Sequence, residues 1–277
     1  MAKGLSVLHS NLKPAIYYRG FDKFKEPISP IIAIPTTAGT GSEITPNASF
    51  IDSDEKRKMG INGEKIRPKY AILDPELTLS CPKNPTISAG VDSLVHATEA
   101  FVAKKTNRMA QIFAKKGFNL VIKNLPKLVN SLDSIKYREE VMFGAFLSAI
   151  ALMNSGTGPA AAMSYPLGVH FGVPHGIGGG IFLPHVMEYN INCGYTNYIN
   201  LYNPTNKEIK AHSFLENIFK IWKKLNIPDS INQYGVNSNN INGFINDTLD
   251  LKPALDQNPV KFGKDEINSI LIKLTQS

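Results

Sequence analysis

The spacing of apolar residues divides the chain into a short opening of strand-like runs and a long body with helical periodicity. Compact apolar runs lie at residues 31–34, 48–52 and 70–73, and a charged turn around 54–58 separates the last two. Short runs bounded by proline or charged residues are typical of β-strands, and the run at 31–34, which ends at Pro35, is predicted to be a buried one. From about residue 84 the apolar positions recur every three or four residues, which predicts helices. The pattern therefore predicts an α/β opening followed by a mostly helical body.

Seven longer helices are predicted in the body. They cover residues 85–104, 107–130, 136–155, 158–171, 176–190, 208–225 and 264–275. Residues 226–262 are rich in Asn, Asp, Pro and Gly, and we expect short helices joined by turns there. Residues 74–82 are predicted to form a loop or short turn, which makes residue 82 the boundary between the two parts of the chain.

The composition fits a globular protein with a sizeable core. The chain has 277 residues, of which 43% are hydrophobic and 19% charged. No apolar run reaches the roughly 18 residues that a membrane span requires, and the start, MAKGLSVLHSNLK, lacks the pattern of a signal peptide. The two cysteines, Cys81 and Cys193, have no C-x-x-C spacing, which argues against a disulfide scaffold or a structural zinc module. We therefore expect a cytoplasmic protein with no membrane partner.

The net charge of +7 comes from lysines that are spread along the chain. Scattered lysines on helices are typical of a solvated surface, whereas nucleic-acid binding favours clustered arginines with interleaved aromatic residues. We therefore expect no nucleic-acid partner. A basic entrance that attracts an anionic cofactor or substrate stays open as an alternative.

The segment PTTAGTGSE at residues 35–43 directly follows the first strand candidate. The hydroxyl groups of Thr36, Thr37 and Thr40 can bond phosphate or ribose oxygens, and Gly39 lets the backbone approach a ligand closely. The segment is thus a candidate cofactor-binding loop. The alternative is an ordinary Gly/Thr loop without a ligand.

Three residues are candidate ligands of a divalent metal ion. Asp92 and His96 are four residues apart in a segment with helical spacing, which places a carboxylate and an imidazole on one face of a helix. His175 lies far downstream in a Pro-His-Gly turn. Two ligands on one helix and a third from a distant turn are typical of a metal site. The alternative is a hydrogen-bonded core pair of Asp92 and His96.

Four motifs together resemble the group III, iron-containing alcohol dehydrogenases. The motifs, in this order, are PTTAGTGSE, DPELT, GVDSLVHATEA and YPLGVHFGVPHG with LPHVMEYN. The resemblance extends over almost the whole chain. It implies a dehydroquinate synthase-like architecture, with an α/β dinucleotide-binding domain and a large C-terminal all-helical domain on either side of the active site. On this basis residues 1–82 form an incomplete dinucleotide-binding domain, and residues 83–277 form the helical metal and substrate domain.

The resemblance also implies site residues and cofactors. Asp92, His96 and His175 would be three of four ligands of iron, zinc or another divalent ion. The expected cofactor is NAD or NADP, and its contacts would be Thr37, Thr40, Asn47 and Lys58, the lysine suiting a ribose or phosphate oxygen. The implied reaction is hydride transfer between the nicotinamide and a primary alcohol or aldehyde. The expected assembly is a homodimer.

Two departures from the family pattern bear on these expectations. Where the family places a fourth ligand, a histidine, this chain has Ala161, and Tyr165 stands where some members have a histidine that helps to relay protons. Three protein ligands still suffice for a catalytic site, but the affinity for the metal should be lower. At the start, MAKGLSVLHSN is similar to the middle of a helix of the family's α/β domain. We therefore expect the chain to lack the first strands and the Gly-rich phosphate loop, and expect residues 31–34 to form an unpaired edge.

Three hypotheses follow for the function. The first is a metal-assisted alcohol or aldehyde oxidoreductase in which Tyr165 takes part in catalysis. The second is a non-catalytic or truncated remnant that keeps the fold. The third is a metal-free member of the family that acts on a sugar or another polar substrate.

Overall fold

The computed structural model of the chain describes residues 1–52, 54–202 and 210–276. An α/β part, residues 1–82, precedes a large helical body, residues 83–276. In the α/β part the regular elements are α1 (Ala2–Ser10), β1 (Gly20–Phe21), β2 (Ile32–Ala33), β3 (Asn47–Asp52), β4 (Arg57–Asn62) and β5 (Tyr70–Ala71). The prediction of an α/β opening and a helical body is confirmed.

The strands of the α/β part form two small sheets. In the first, β3 and β4 form an antiparallel hairpin and β1 adds to β4 in parallel, which gives the order β1-β4-β3. In the second, β2 pairs with β5 in parallel. Between β3 and β4 the carboxylate of Asp52 accepts hydrogen bonds from the backbone N–H groups of Asp54 and Glu55, which stabilises the tight turn.

Two expectations for this region are wrong in detail. The charged stretch at 54–58 is not all turn, because β4 begins at Arg57 and pairs Lys58 with Ile51 across the hairpin. The apolar run at 31–34 is not a buried strand. Ile31 is buried, but Ile32 is 60% exposed, because β2 has a single partner strand among the described residues and nothing there covers its outer face.

The helical body consists of nine helices in the part of the chain that the structure describes. They are α2 (Lys83–Val102), α3 (Arg108–Leu128), α4 (Ile135–Met153), α5 (Pro159–Phe171), α6 (His175–Asn192), α7 (Ala211–Lys224), α8 (Ile241–Leu249), α9 (Lys252–Leu255) and α10 (Lys264–Gln276). The predicted helices agree with these within a few residues. For α7, residues 208 and 209 of the prediction lie outside the described residues.

Helix α2 lies at the centre of the body. It packs against α3, α4 and α6, and nearly every side chain from Thr86 to Val102 is buried. Its low amphipathicity reflects this all-round burial, since a helix that is apolar on all faces belongs in a core. Any polar residue on α2 is therefore desolvated unless a neighbour or a ligand compensates it.

The neighbouring helices begin and end at recognisable signals. Asn107 and Ser134 cap α3 and α4 by accepting bonds from Ala110 and Tyr137, and Gly172, with φ of +69°, ends α5 in the left-handed conformation. The short link after Gly172 turns the chain directly into α6. Among the described residues, no helix combines the length and apolar character needed to cross a membrane.

Candidate metal and cofactor site

Helix α2 places Asp92 and His96 one turn apart on the face that looks towards α5 and α6. Both residues are buried, and His96 Nε2 lies 3.6 Å from Asp92 Oδ1. Because α2 is enclosed by other helices, this carboxylate and imidazole are held in fixed positions within a largely desolvated region.

His175 joins them because α6 begins very close to α2. A Cβ atom on Gly176 would lie 1.9 Å from the carbonyl oxygen of Ser88, so only glycine allows this approach. The close contact brings His175 Nε2 to 3.8 Å from Asp92 Oδ1. One donor atom from each of Asp92, His96 and His175 lies within 4.8 Å of the others. The structure therefore assembles the three side chains that the sequence singled out.

The cluster has the chemistry and the dimensions of a divalent-metal site. Donor atoms about 2.0–2.1 Å from a tetrahedral ion lie roughly 3.4 Å apart, close to the two Asp–His distances above. The Oδ2 atom of Asp92 and the Nδ1 atom of His96 are buried without a hydrogen-bond partner among the described residues. A carboxylate oxygen left in this state is costly unless a cation or another donor compensates it. The residues present therefore fit a bound cation.

Ser164 on α5 is a neighbour of the cluster that the sequence did not reveal. Its hydroxyl lies 2.7 Å from His175 Nδ1 and donates to the carbonyl oxygen of Ala161 at 2.6 Å. Ser164 is 11 residues from His175 along the chain, in a run of small residues that carries no catalytic motif. Only the packing of α5 against α6 brings the two together.

Glu99 fixes the beginning of α5. Its buried carboxylate accepts bonds from the backbone N–H groups of Gly158, Ala160 and Ala161 and from the hydroxyl of Thr157. Burial raises the pKa of Glu99, and these four bonds oppose the rise. The residue acts as the cap that Gly158 cannot supply, since helix N-termini favour acceptors and negative charge.

The position of the expected fourth ligand is occupied by a methyl group. Ala161 lies in the first turn of α5 and is buried, with its N–H on Glu99 and its carbonyl oxygen on Ser164. It offers no side-chain donor, so the described residues bring together three candidate ligands from side chains.

Tyr165 and Lys58 form the side of the site that faces the α/β part. The Lys58 Nζ atom lies 3.6 Å from the centre of the Tyr165 ring, a cation–π contact that joins β4 to α5. The Tyr165 ring meets the His175 ring edge to face, with 5.1 Å between centres. Two residues that the sequence assigned to different roles, catalysis and cofactor binding, are thus neighbours of one metal candidate.

The electrostatics of this group follow from desolvation. Burial lowers the pKa of His175 to about 4, while Asp92 opposes this shift and Lys58 and His96 add to it. Burial likewise lowers the pKa of Lys58 to about 8, with Asp92 again opposing. For Tyr165, burial and then Asp92 and Glu99 raise the pKa, so the hydroxyl keeps its proton well above neutral pH. His175 is therefore neutral near pH 7, the form that ligates a metal.

The Thr/Gly segment lies against the same helix. Gly39 is buried on α2, where a Cβ atom would come within 2.5 Å of the carbonyl oxygen of Ala89. Thr36, Thr37 and Thr40 are exposed, and the hydroxyl of Thr40 accepts a bond from the N–H of Ser42. The loop thus contacts α2 at Ala89, which is close to Asp92 along the helix, and presents its hydroxyl groups to solvent.

Asn47 and two histidines outside the cluster make other contacts. Asn47 begins β3 with its side chain exposed, and its carbonyl oxygen accepts a bond from Lys3. His170 pairs with Asp247 on α8 at 2.5 Å. His185 is buried within α6 and packs edge to face on Phe219.

Comparison with known proteins agrees with the resemblance seen in the motifs. A profile described as Fe-containing alcohol dehydrogenase family, C-terminal, matches residues 86–275, and one described as iron-containing alcohol dehydrogenase matches residues 1–75. The chain is 37% identical over 190 residues to an NAD-dependent methanol dehydrogenase of Bacillus methanolicus, covering 69% of this chain and 50% of that protein. The chain spans about half the length of the first curated relatives it matches.

Solved structures match over nearly the full chain. A 1,3-propanediol oxidoreductase is similar with a TM-score of 0.90 and 26% identity, covering 98% of this chain and 73% of that one. A sulfoacetaldehyde reductase from Bifidobacterium kashiwanohense, in complex with NAD+, is similar with a TM-score of 0.88 and 25% identity, covering 100% of this chain and 74% of that one.

Proposed function

The chain belongs to the iron-containing alcohol dehydrogenase family, and we propose that it is a metal-assisted, NAD(P)-dependent oxidoreductase acting on a primary alcohol or aldehyde. The observation that carries the proposal is the convergence of Asp92, His96 and His175, with a buried Asp92 oxygen that lacks a partner among the described residues. The printed descriptions of two of the relatives mention NAD, which favours NAD over NADP.

In this proposal the three residues hold a divalent ion, iron or zinc. A bound ion supplies Lewis acidity, which stabilises negative charge on a substrate oxygen. Asp92 contributes the single negative charge of the ligand set, and the two imidazoles bind as neutral groups. The helices around α2 exclude water and lower the local dielectric, so that each of these interactions is stronger than at the surface.

The residues on the open side of the cluster would handle the cofactor and the proton. Thr36, Thr37, Gly39 and Thr40 offer hydroxyl and backbone groups to phosphate or ribose oxygens, and Asn47 is a further candidate contact. Lys58 carries a positive charge suited to the same oxygens. Tyr165 keeps a proton on its hydroxyl and can hold it near a substrate oxygen or pass it on.

A second candidate is a metal-free oxidoreductase acting on a polar substrate. It is favoured by Ala161, which removes one expected ligand, and by the ammonium group of Lys58 beside Tyr165. In that case Lys58 would provide positive charge near the reacting oxygen. We further propose that the protein is cytoplasmic and that it is a homodimer, and light scattering of the purified chain would test the oligomeric state.

The decisive experiment combines metal analysis with turnover. The purified chain is supplied with Fe²⁺ or Zn²⁺ under anaerobic conditions, and NAD⁺ reduction is followed with short primary alcohols. We expect about one ion per chain, and expect Asp92→Ala to lose the ion and at least about 100-fold in turnover. Asp247→Ala is the matched control, because it removes the aspartate of another Asp–His pair outside the cluster.

The outcomes separate the candidates. Stoichiometric metal in Asp92→Ala would overturn the ligand assignment. Turnover that survives removal of metal by a chelator, but is lost in Lys58→Met, would favour the metal-free candidate. Absence of turnover of short primary alcohols with bound metal would count against the metal-assisted candidate.

A further inference from the structure

We propose that Ser164 is a positioning residue for His175: its hydroxyl selects the imidazole tautomer whose Nε2 lone pair points into the cluster, and so sets the affinity for a divalent ion. The metal part of this inference rests on the proposed function. The tautomer part rests only on the hydrogen bonds.

The direction of each bond follows from the number of protons available. A serine hydroxyl has one proton, and Ser164 gives it to the carbonyl oxygen of Ala161, 2.6 Å away. Towards His175 Nδ1, at 2.7 Å, the hydroxyl can then only accept. Nδ1 must therefore carry the imidazole proton, which leaves Nε2 as the lone-pair atom.

That lone-pair atom is the one that faces the cluster. His175 Nε2 lies 3.8 Å from Asp92 Oδ1, whereas Nδ1 points away towards α5. Metal-ligating histidines usually donate their other N–H to an oxygen acceptor, which fixes the tautomer and the orientation of the ring. In this site the acceptor is a serine that is itself held by a backbone carbonyl.

The contact between α5 and α6 keeps Ser164 in place. Ser164 is 1% exposed, and a Cβ atom on Gly178 would lie 3.1 Å from the Ser164 Cβ. Glu99 anchors the first turn of α5 through Ala160 and Ala161, so the carbonyl oxygen that receives the serine proton is also fixed. A series of hydrogen bonds thus connects Glu99, through Ala161 and Ser164 on α5, to the candidate ligand His175.

The orientation of His175 matters more here than in a site with four side-chain ligands. Ala161 contributes a methyl group and no donor, so each remaining ligand carries a larger share of the affinity. The His175 side chain is also 31% exposed, whereas those of Asp92 and His96 are 5% and 9% exposed, so packing restrains its ring least. The hydrogen bond with Ser164 adds to the edge-to-face contact with Tyr165 in holding the ring.

The first readout is the tautomer of His175 in metal-free protein, from the ¹⁵N chemical shifts of the imidazole nitrogens. His175→Gln identifies the resonances. In the unaltered chain we expect the tautomer that is protonated at Nδ1 and unprotonated at Nε2. In Ser164→Ala we expect this preference to shift towards the other tautomer or a mixture of the two.

The second readout is the affinity for Zn²⁺, measured by competition with a chromophoric chelator. We expect Ser164→Ala to weaken binding by about 10- to 100-fold, the usual effect of removing an outer hydrogen-bond partner of a ligand. The matched control is Ser148→Ala. Ser148 is equally buried in α4, and its hydroxyl also bonds a carbonyl of its own helix, that of Gly144. This control should change the affinity less than twofold.

A double-mutant comparison excludes a general effect on folding. In a His175→Ala background, Ser164→Ala should cause no further loss of Zn²⁺ affinity, because the residue acts through His175. An unchanged tautomer in Ser164→Ala would overturn the proposal, and so would an equal loss in Ser148→Ala. If the unaltered chain binds no Zn²⁺, the metal part of the proposed function fails, while the tautomer measurement still decides whether Ser164 positions His175.

Discussion

The helical body and the α/β part of this chain each contribute half of the candidate site, and they differ in the hydrophobic core that supports it. The body has one continuous core that extends through α2 to α7 and on to α10. The α/β part has a small separate core, and its members are Val7, Tyr18, Phe24, Ile31, Ala48, Ile61 and Ile66. It also exposes large apolar side chains such as Ile32 and Tyr70 on its two-stranded sheet. The three candidate metal ligands lie in the well-packed helical body, while the proposed cofactor contacts lie in the α/β part, which has the small core.

This difference indicates which part of the site holds its atoms most precisely. Ligand atoms must be held within a few tenths of an ångström, which a close-packed helical core provides. Residues that bind a cofactor, by contrast, often lie on surface loops that a scaffold positions. The contrast gives four predictions, from the largest expected effect to the smallest.

The largest effect should come from Glu99 in the helical body. Glu99→Ala removes the acceptor of four hydrogen bonds at the start of α5 and leaves three buried N–H groups without a partner. We expect a loss of about 3–5 kcal/mol in the free energy of unfolding, measured by urea denaturation. Glu64→Ala is the control, since Glu64 is exposed and its carboxylate pairs with Arg67 alone among the described residues, and it should change stability by less than about 1 kcal/mol. Equal losses would show that Glu99 is not a buried cap.

Removing one core side chain from each part should distinguish the two cores directly. Leu94 and Ile61 are both fully buried, one in each core. Each truncation to alanine should cost about 2–5 kcal/mol locally. Hydrogen exchange should show Leu94→Ala loosening α2 and the helices around it, and Ile61→Ala loosening only α1 to β5. Uniform loosening by Ile61→Ala would mean that the two parts unfold as one unit.

The acid side of the stability curve should depend on His185 in α6. Burial lowers the pKa of His185 to about 4, below its ordinary value of 6.5. Between these values the unfolded chain binds more protons than the folded one, so stability falls as the pH drops from 6.5 towards 4. The contribution is at most about 3 kcal/mol by linkage. In His185→Gln the urea midpoint should depend less on pH over this range. An unchanged slope of the midpoint against pH would contradict the assignment.

The smallest effect should come from the exposed face of the two-stranded sheet. Ile32 is 60% exposed whereas its neighbour Ile31 is 9% exposed. We expect Ile32→Ser to change the free energy of unfolding by less than about 0.5 kcal/mol, and Ile31→Ser to cost about 2 kcal/mol. A large loss from Ile32→Ser, measured by the same denaturation, would show that another surface covers this residue.

The sequence predicts the structural elements best where they depend on residues that are close together in the chain. The i, i+4 spacing of Asp92 and His96, the helical periodicity of the body and the turn signals of residues 226–262 each depend on a few neighbouring residues. The sequence gives no signal for strand β4, because the strand begins with the charged residues Arg57 and Lys58, which are not typical of a strand. The prediction of a buried strand at residues 31–34 is wrong, since an apolar run shows what can be buried and not what covers it.

The sequence by itself determined the family, the helical body and three candidate ligands, because motif spacing and periodicity are properties of the chain. Only the tertiary structure decided that Gly176 lets α6 approach α2, that Ser164 meets His175, and that Lys58 lies over Tyr165. These contacts join residues that are far apart in the chain, and their strength depends on burial. Desolvation sets the pKa of His175 and of Lys58, and it exists only once the helices have packed.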